Sequence, residues 1–280
     1  MPGLQLREMT REEFDLAIEW AAEEGWNPGL HDGDCFYETD PHGFVIALRN
    51  GEPVGTVSVV TYDERFCFGG FFIIKKGLRE QGIGTMLGLE VLSKTGGRTI
   101  GMDAVPDLQA EYGKYGFQTA FTSVRYHGVA RGQDGAASDL IALADVDFGH
   151  LVDFDARHFP ARREVFLKTW ISQPEGKGLA SMSGGDVNGY AFLRKCREGY
   201  KFGPVFARDA TLAGQLIDAV AAQVRGATIF LDVPAPNEAG TALAKERGME
   251  PVFETARMYR GTAPLLPLDR IFGVTSFELG

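Results

Sequence analysis

Apolar and polar positions alternate over residues 4–9, which predicts a strand with one buried face. Thr10 and Glu13 then form a capping-box pattern, in which each side chain closes an open N–H of a helix start. The helix it opens runs through Trp20 and carries Phe14, Ala17 and Ile18 on one side. Residues 44–48 and 53–61 read as strands joined at Asn50-Gly51, a pair that tolerates the positive φ of a tight hairpin. Asp63-Glu64-Arg65 marks a turn before the apolar run 66–74, the predicted central strand. A helix-like segment over 85–92, a strand over 98–104 and a helix over 107–115 complete the first half.

The second half repeats part of this order. A helix over 161–172 sets Val165, Phe166 and Trp170 on one face, and strands over 177–182 and 188–195 flank Gly184-Gly185. A strand over 200–207, an Ala-rich helix over 211–224, a strand over 228–233, a helix over 237–247 stopped by Gly248, and a strand over 252–260 follow. Short strings echo as well. Leu231-Asp232-Val233-Pro234 through Arg247-Gly248-Met249 resembles Met102-Asp103-Ala104-Val105-Pro106 through Tyr115-Gly116-Phe117. Likewise Arg257-Met258-Tyr259-Arg260-Gly261 resembles Val124-Arg125-Tyr126-His127-Gly128. These echoes predict an internal repeat. The Gly/Ala-rich, aperiodic stretch 127–138 reads as the connection, giving domains at 1–130 and 140–280 with a linker at 131–139.

Composition narrows the class. With 44% hydrophobic and 24% charged residues, the 280-residue chain can bury its own core. Three scattered cysteines predict reduced thiols rather than a disulfide frame, and neither they nor the histidines show a metal-binding spacing. His150 and His158, beside Asp153 and Asp155, read as solvated surface. The start lacks a charged-then-apolar leader and no run is long enough to span a bilayer, so a cytoplasmic protein without a membrane partner is expected. A net charge of −10 argues against nucleic acid. Residues 1–130 hold 11 Lys+Arg against 19 Asp+Glu, net −8, which suits a cationic acceptor and equally serves solubility. Monomer and homodimer are both open.

Arg79-Glu80-Gln81-Gly82-Ile83-Gly84 follows the apolar strand and opens the 85–92 helix. Two close glycines at a helix N-terminus aim several N–H groups at one point, a ready anion site. A turn without a ligand has the same glycines. A dinucleotide fingerprint would need a third glycine at 87, where the chain has Leu87, although Asp103 lies near the distance of a ribose-binding acid. The Gly-Lys-Ser/Thr of a phosphate-binding P-loop is absent.

Arg-x-x-Gly-x-Gly after such a strand, followed by a strand and then Tyr112-Gly113-Lys114-Tyr115-Gly116-Phe117, resembles the GNAT family of N-acetyltransferases over about residues 4–127. The resemblance implies an α+β fold, three layers of helices on a mixed, mostly antiparallel sheet. The echoing second half then looks like a degenerate second copy of a tandem GNAT, because Ala207 to Gly214 lacks the loop glycines and the helix tyrosine is replaced around Ala244. It implies acetyl-CoA as co-substrate, touched by Phe72, Ile73, Ile74, Arg79, Glu80, Gln81, Gly82, Ile83, Gly84, Thr85, Tyr112 and Tyr115. Ile74 would offer a backbone N–H to the thioester carbonyl and Tyr112 a proton to the leaving thiolate. The chain departs from the pattern at Lys75-Lys76-Gly77, where Pro is frequent, at Val105-Pro106-Asp107, where Asn is frequent, and on the central strand, which offers no carboxylate as base.

Asp103, at a strand end, is a candidate to hold or deprotonate an ammonium, or else a turn cap. The segment after the first helix lines the acceptor site in GNATs, which makes Trp26, His31 and Asp32 candidates, with Gln109 and Arg125 as further substrate contacts. Tyr190, Arg194 and Arg197 are candidates to reach across from the second half. The expected activity is direct transfer of an acetyl group to the primary amine of a small molecule, without a metal. A protein or peptide N-acetyltransferase and a non-catalytic acyl-CoA sensor are the alternatives, with a dinucleotide oxidoreductase behind them.

Overall fold

The computed structural model describes residues 3–131 and 139–280. The first half contains β1 (Leu4–Glu8), α1 (Arg11–Glu23), α2 (Asp32–Thr39), β2 (Phe44–Arg49), β3 (Glu52–Thr61), β4 (Phe66–Ile74), α3 (Ile83–Lys94), β5 (Thr99–Ala104), α4 (Gln109–Gly113) and β6 (Gln118–Val129). The second contains β7 (Leu140–Ala142), α5 (Phe148–Asp155), α6 (Glu164–Trp170), β8 (Lys177–Ser183), β9 (Asp186–Lys195) and β10 (Tyr200–Ala207). It continues with α7 (Ala210–Ala221), β11 (Thr228–Pro234), α8 (Glu238–Glu246), β12 (Glu250–Arg260) and β13 (Ile271–Gly273).

Local chemistry sets the clearest elements. Thr10 Oγ1 accepts from the Glu13 N–H at 3.2 Å and the Glu13 carboxylate accepts from the Thr10 N–H at 3.0 Å. Arg7, bonded to the same carboxylate, holds it down at about 2. Asn50 and Gly51 take φ of 53° and 86°, the left-handed pair that turns β2 into β3. Along β2, Phe44 and Ile46 enter the core under α1 while Val45 and Ala47 enter the core under α3. Both sheet faces are therefore covered.

All strands join one sheet in the order β1-β2-β3-β4-β5-β12-β6-β11-β10-β9-β8-β7, with β13 paired to β10. The order is palindromic about the β12–β6 contact, so the halves are related as two copies. They have exchanged their last long strands: β12 lies on β5 and β6 lies on β11. Two crossed ion pairs fix the exchange. Asp103 on β5 sits opposite Arg257 on β12, with bonds of 2.9 and 2.7 Å, and Asp232 on β11 sits opposite Arg125 on β6, with bonds of 2.6 and 2.7 Å. All four side chains are buried. Arg257 is thus the counterpart of Arg125, one residue off the register of the echoing strings. Core packing also ignores the domain boundary, since Phe14, Phe36, Phe44 and Phe71 share one cluster with Phe166, Trp170, Tyr190 and Phe192.

Several expectations change. His127, Gly128 and Val129 are not linker but the end of β6, paired with β11. Of the predicted linker, residues 132–138 lie outside the described residues. The helix over 161–172 shortens to α6, with Val165 facing out. Of the acidic and His-bearing group expected at the surface, His150 and Asp153 are exposed, but Asp155 and His158 are buried. Arg163 binds Asp155 through two nitrogens at 2.7 and 2.8 Å, and His158 stacks on Phe206. Burial lowers the His158 pKa below the usual range. The three cysteines are buried and free. Among the described residues, no helix is long and apolar enough to cross a membrane and no cluster of three or more His, Cys, Asp or Glu side chains could hold a metal ion.

Candidate active site

β4 and β5 run parallel only from Phe66↔Thr99 to Gly69↔Met102, then part. At the same place β4 bulges against β3. Two steps of β3, from Thr56 to Ser58, face three steps of β4, from Ile73 to Gly70. Phe71 takes φ of 47° there, and its carbonyl is held by Thr56 Oγ1 at 2.8 Å. Beyond the bulge the ladder resumes with Lys75 N–H donating to Val54 O at 3.0 Å. Antiparallel pairs alternate, so the Ile74 N–H turns away from β3 into the gap.

The gap opens into a cleft of about 630 Å³. One end reaches the loop before α3. Gly77, Glu80 and Gly82 all have positive φ, and α3 begins without a side-chain cap, which leaves its first N–H groups open. Gly84 packs closely as well, since a Cβ there would stand 3.3 Å from the Phe72 ring. The loop is tied down from outside. Arg79 donates to Ile74 O at 3.2 Å and to Glu24 at 2.6 Å, and Gln81 accepts from Arg49 at 2.9 Å. An open helix start, an apolar groove and a strand with free N–H groups fit an extended acyl-CoA.

Of the expected cofactor residues, Phe72, Ile73, Ile74, Arg79, Glu80, Gly82, Gly84, Thr85, Tyr112 and Tyr115 line the cleft. Gln81 points away to Arg49 and Ile83 is buried in the core under α3, so only their backbones face the loop. Tyr112 stands edge-on to Phe72 at 6.0 Å and to Phe117 at 6.2 Å. Burial raises its hydroxyl above the usual tyrosine range, so it keeps its proton at neutral pH.

The acceptor candidates divide. Trp26 lines the cleft, with its carbonyl held by Arg125 at 2.9 Å and Lys201 at 3.1 Å. Asp32 does not. It is fully buried and paired with Arg194 at 2.9 Å, a contact that ties α2 to β9. His31 faces Glu175 at 3.1 Å, and Gln109 accepts from Thr119 at 3.1 Å. Neither borders the cleft. Asp103 and Arg125 border it but are spent on their crossed partners. Burial pushes the Asp103 carboxyl up, against the opposing pull of Arg257, and both its oxygens are engaged by Arg257 in a bidentate contact. The second-half candidates are engaged elsewhere. Tyr190 donates to Asp155, Arg194 to Asp32 and Arg197 to Glu19.

Sequence reasoning missed the opposite wall. Ser58 from β3, Phe253 and Thr255 from β12, and Phe277 and Glu278 from the segment after β13 all line the cleft. One signal was available: the repeat ends at Gly261 against Gly128, which leaves residues 262–280 without a counterpart in the first half.

The second half shows the same frame closed. β10 leaves β11 after Lys201↔Phe230 and bulges against β9, as β4 does. Its gap is filled by β13, which pairs with β10 at Val205↔Gly273 and Phe206↔Ile271. The following helix, α7, is capped by Asp209, whose carboxylate accepts from Leu212 N–H at 2.9 Å.

Family models agree with this division. Residues 5–116 match the acetyltransferase (GNAT) family and residues 151–273 an acetyltransferase (GNAT) domain. The holothin acyltransferase of Pseudoalteromonas sp. (strain SANK 73390) is 31% identical over 270 residues, covering 96% of this chain and 92% of that protein. A crystal structure from Pyrococcus horikoshii, provisionally named an acetyltransferase, superposes with a TM-score of 0.85 at 19% identity, over 100% of this chain and 97% of that one. A tandem GNAT protein from the clavulanic acid biosynthesis pathway superposes at 0.65 and 14% identity, over 93% and 100%. At such identities these structures speak for the fold.

Proposed function

Because the chain belongs to the GNAT family and carries two such domains in tandem, we propose that its first half transfers an acetyl group from acetyl-CoA to the primary amine of a small molecule, by direct attack within a ternary complex. The observation that carries this reading is the gap between β4 and β5, which opens into a cleft that takes in an uncapped helix start and several aromatic side chains. The loop from Arg79 to Thr85 holds the pyrophosphate on backbone N–H groups. The Ile74 N–H donates to the thioester oxygen, where negative charge grows as the nitrogen attacks. Tyr112 gives its hydroxyl proton to the departing sulfur.

A small acceptor is favoured over a protein or peptide because the second half lends Phe253, Thr255, Phe277 and Glu278 to the cleft wall. A relative named for acylating holothin supports the same choice. Retention of Tyr112 at the cleft favours an enzyme over an acyl-CoA sensor. A cytoplasmic location suits the co-substrate.

The experiment is a thermal shift with acetyl-CoA, longer acyl-CoAs and NAD(H), then free-thiol release against a panel of amines. Stabilisation by acetyl-CoA with thiol release for one amine class is expected. Stabilisation with no release for any amine would favour the sensor, and a response only to NAD(H) would sink the reading.

A further inference from the structure

Three residues that line the cleft each hold a buried polar atom without a hydrogen-bond partner among the described residues: Ser58 Oγ, Thr255 Oγ1 and Glu278 Oε2. Buried polar atoms are nearly always paired, so three orphans bordering one cleft point to a ligand that pairs them. The set has a definite chemistry. An ammonium presents three N–H donors and no acceptor, and a carboxylate with two hydroxyls supplies three acceptors. Trp26, Phe71, Phe253 and Phe277 line the same cleft, with ring centroids of Trp26 and Phe71 6.4 Å apart and of Phe253 and Phe277 6.3 Å apart. Such walls take an apolar or planar body.

The carboxylate is built into its place. Residues 271–280 are buried throughout. Tyr62 OH donates to Leu279 O at 2.9 Å, Leu279 N–H donates to Ser276 Oγ at 3.0 Å, and Arg163 donates to Thr275 Oγ1 at 2.8 Å. The Glu278 carbonyl lies 2.1 Å from where a Cβ on Gly70 would be, so the bulge of β4 must carry glycine for the segment to pass. Arg125, Arg194 and Lys201 on the second-half side and Asp103 on β5 are the charged groups that feel this carboxylate. The arginines and Asp103 are already paired with carboxylates or guanidinium, and Lys201 Nζ is held by the Trp26 and Asn27 carbonyls. None of them is bonded to Glu278.

We infer that Glu278, delivered by the second half into the site of the first, is the anchor and general base for the acceptor, a primary amine on a small apolar or aromatic body. Ser58 and Thr255 complete its grip. The ammonium first loses one proton through Glu278 to solvent. The neutral nitrogen then forms the C–N bond, and its next proton passes to Glu278. The C–S bond breaks with its electron pair on sulfur, which takes the Tyr112 proton. Glu278 releases its proton and Tyr112 regains one, so one proton is set free per turnover. This role rests on the acyl-transfer reading above.

The test compares wild type with Glu278→Gln, which keeps the shape. Acetyl-CoA thermal shift should stay the same, and kcat/KM for the amine should fall about 100-fold or more. The loss should fall on the amine alone, with the KM for acetyl-CoA unchanged. Glu278→Asp, with the carboxylate drawn back by one methylene, should turn over at an intermediate rate, and it carries the test if the Gln variant does not fold. Wild-type turnover matched within threefold by either folded variant overturns the role of Glu278 alone. No thiol release by wild type with any amine overturns the proposed function and this role together.

Discussion

The two halves share one plan and differ in what fills the gap between their parted strands. In the first, β4 and β5 separate around a cleft and α3 starts uncapped. In the second, β10 and β11 separate in the same way, but β13 fills the opening and Asp209 caps α7. The closed half is an internal picture of the open one with its slot occupied by protein. An extended backbone lies where the pantetheine arm would lie, and a carboxylate sits at the helix start where phosphate would sit. The two halves therefore share one frame and differ by an added strand and one acidic cap.

The sharpest way to break the comparison is to close the open half. Gly84→Glu, or Gly82→Glu, sets a bulky anion at the start of α3, and acetyl-CoA should then give no thermal shift at any workable concentration. Next come the crossed pairs. Asp103→Asn and Asp232→Asn each leave a buried arginine without its countercharge, and urea denaturation should show similar losses of about 3–5 kcal/mol. Equal losses, with acetyl-CoA binding retained, would make Asp103 part of the shared frame. A fall in kcat beyond the stability loss in Asp103→Asn alone would return it to the chemistry.

Smaller is Tyr112→Phe, expected to lower kcat about 100-fold with acetyl-CoA affinity unchanged. Because burial raises the Tyr112 hydroxyl pKa, the acid keeps its proton well into alkaline solution, and wild-type kcat should not fall below pH 10. Lost affinity with unchanged kcat would end its role as acid. Smallest is Asp209→Ala on the closed side, which should cost about 1 kcal/mol by urea midpoint and create no acetyl-CoA response. The Leu212 N–H holds the Asp209 carboxyl below its usual range. Its share of stability is therefore full above the unfolded value of about 3.9 and fades as pH drops through the lowered folded value. Asp209→Ala should lose that acid sensitivity.

What was legible in the sequence was local. The Thr10–Glu13 cap, the Asn50-Gly51 turn and the glycines at 82 and 84 act within a few residues of themselves, so their chemistry shows in short strings. The echo of Asp103 in Asp232 was legible as a repeat, but its meaning was not, because each aspartate pairs with an arginine from the other copy. Asp32 looked like a loop acid and is instead buried against Arg194, 162 positions away. Residues 127–129 read as a connection by composition, while β11 decides that they are strand. Glu278 sits in no motif. It matters only because β13 and the bulge at Gly70 steer it 208 residues back along the chain.

The strand exchange also sets a clock on the ribosome. The free edge of β5 is covered only when β12 arrives, since Ala104 pairs with Ala256. At typical rates of synthesis, roughly 8 to 30 seconds pass before that partner emerges. Throughout that wait the nascent first half shows a bare strand edge and an unneutralised Asp103, an opening for a chaperone or for mispairing with a neighbouring nascent chain.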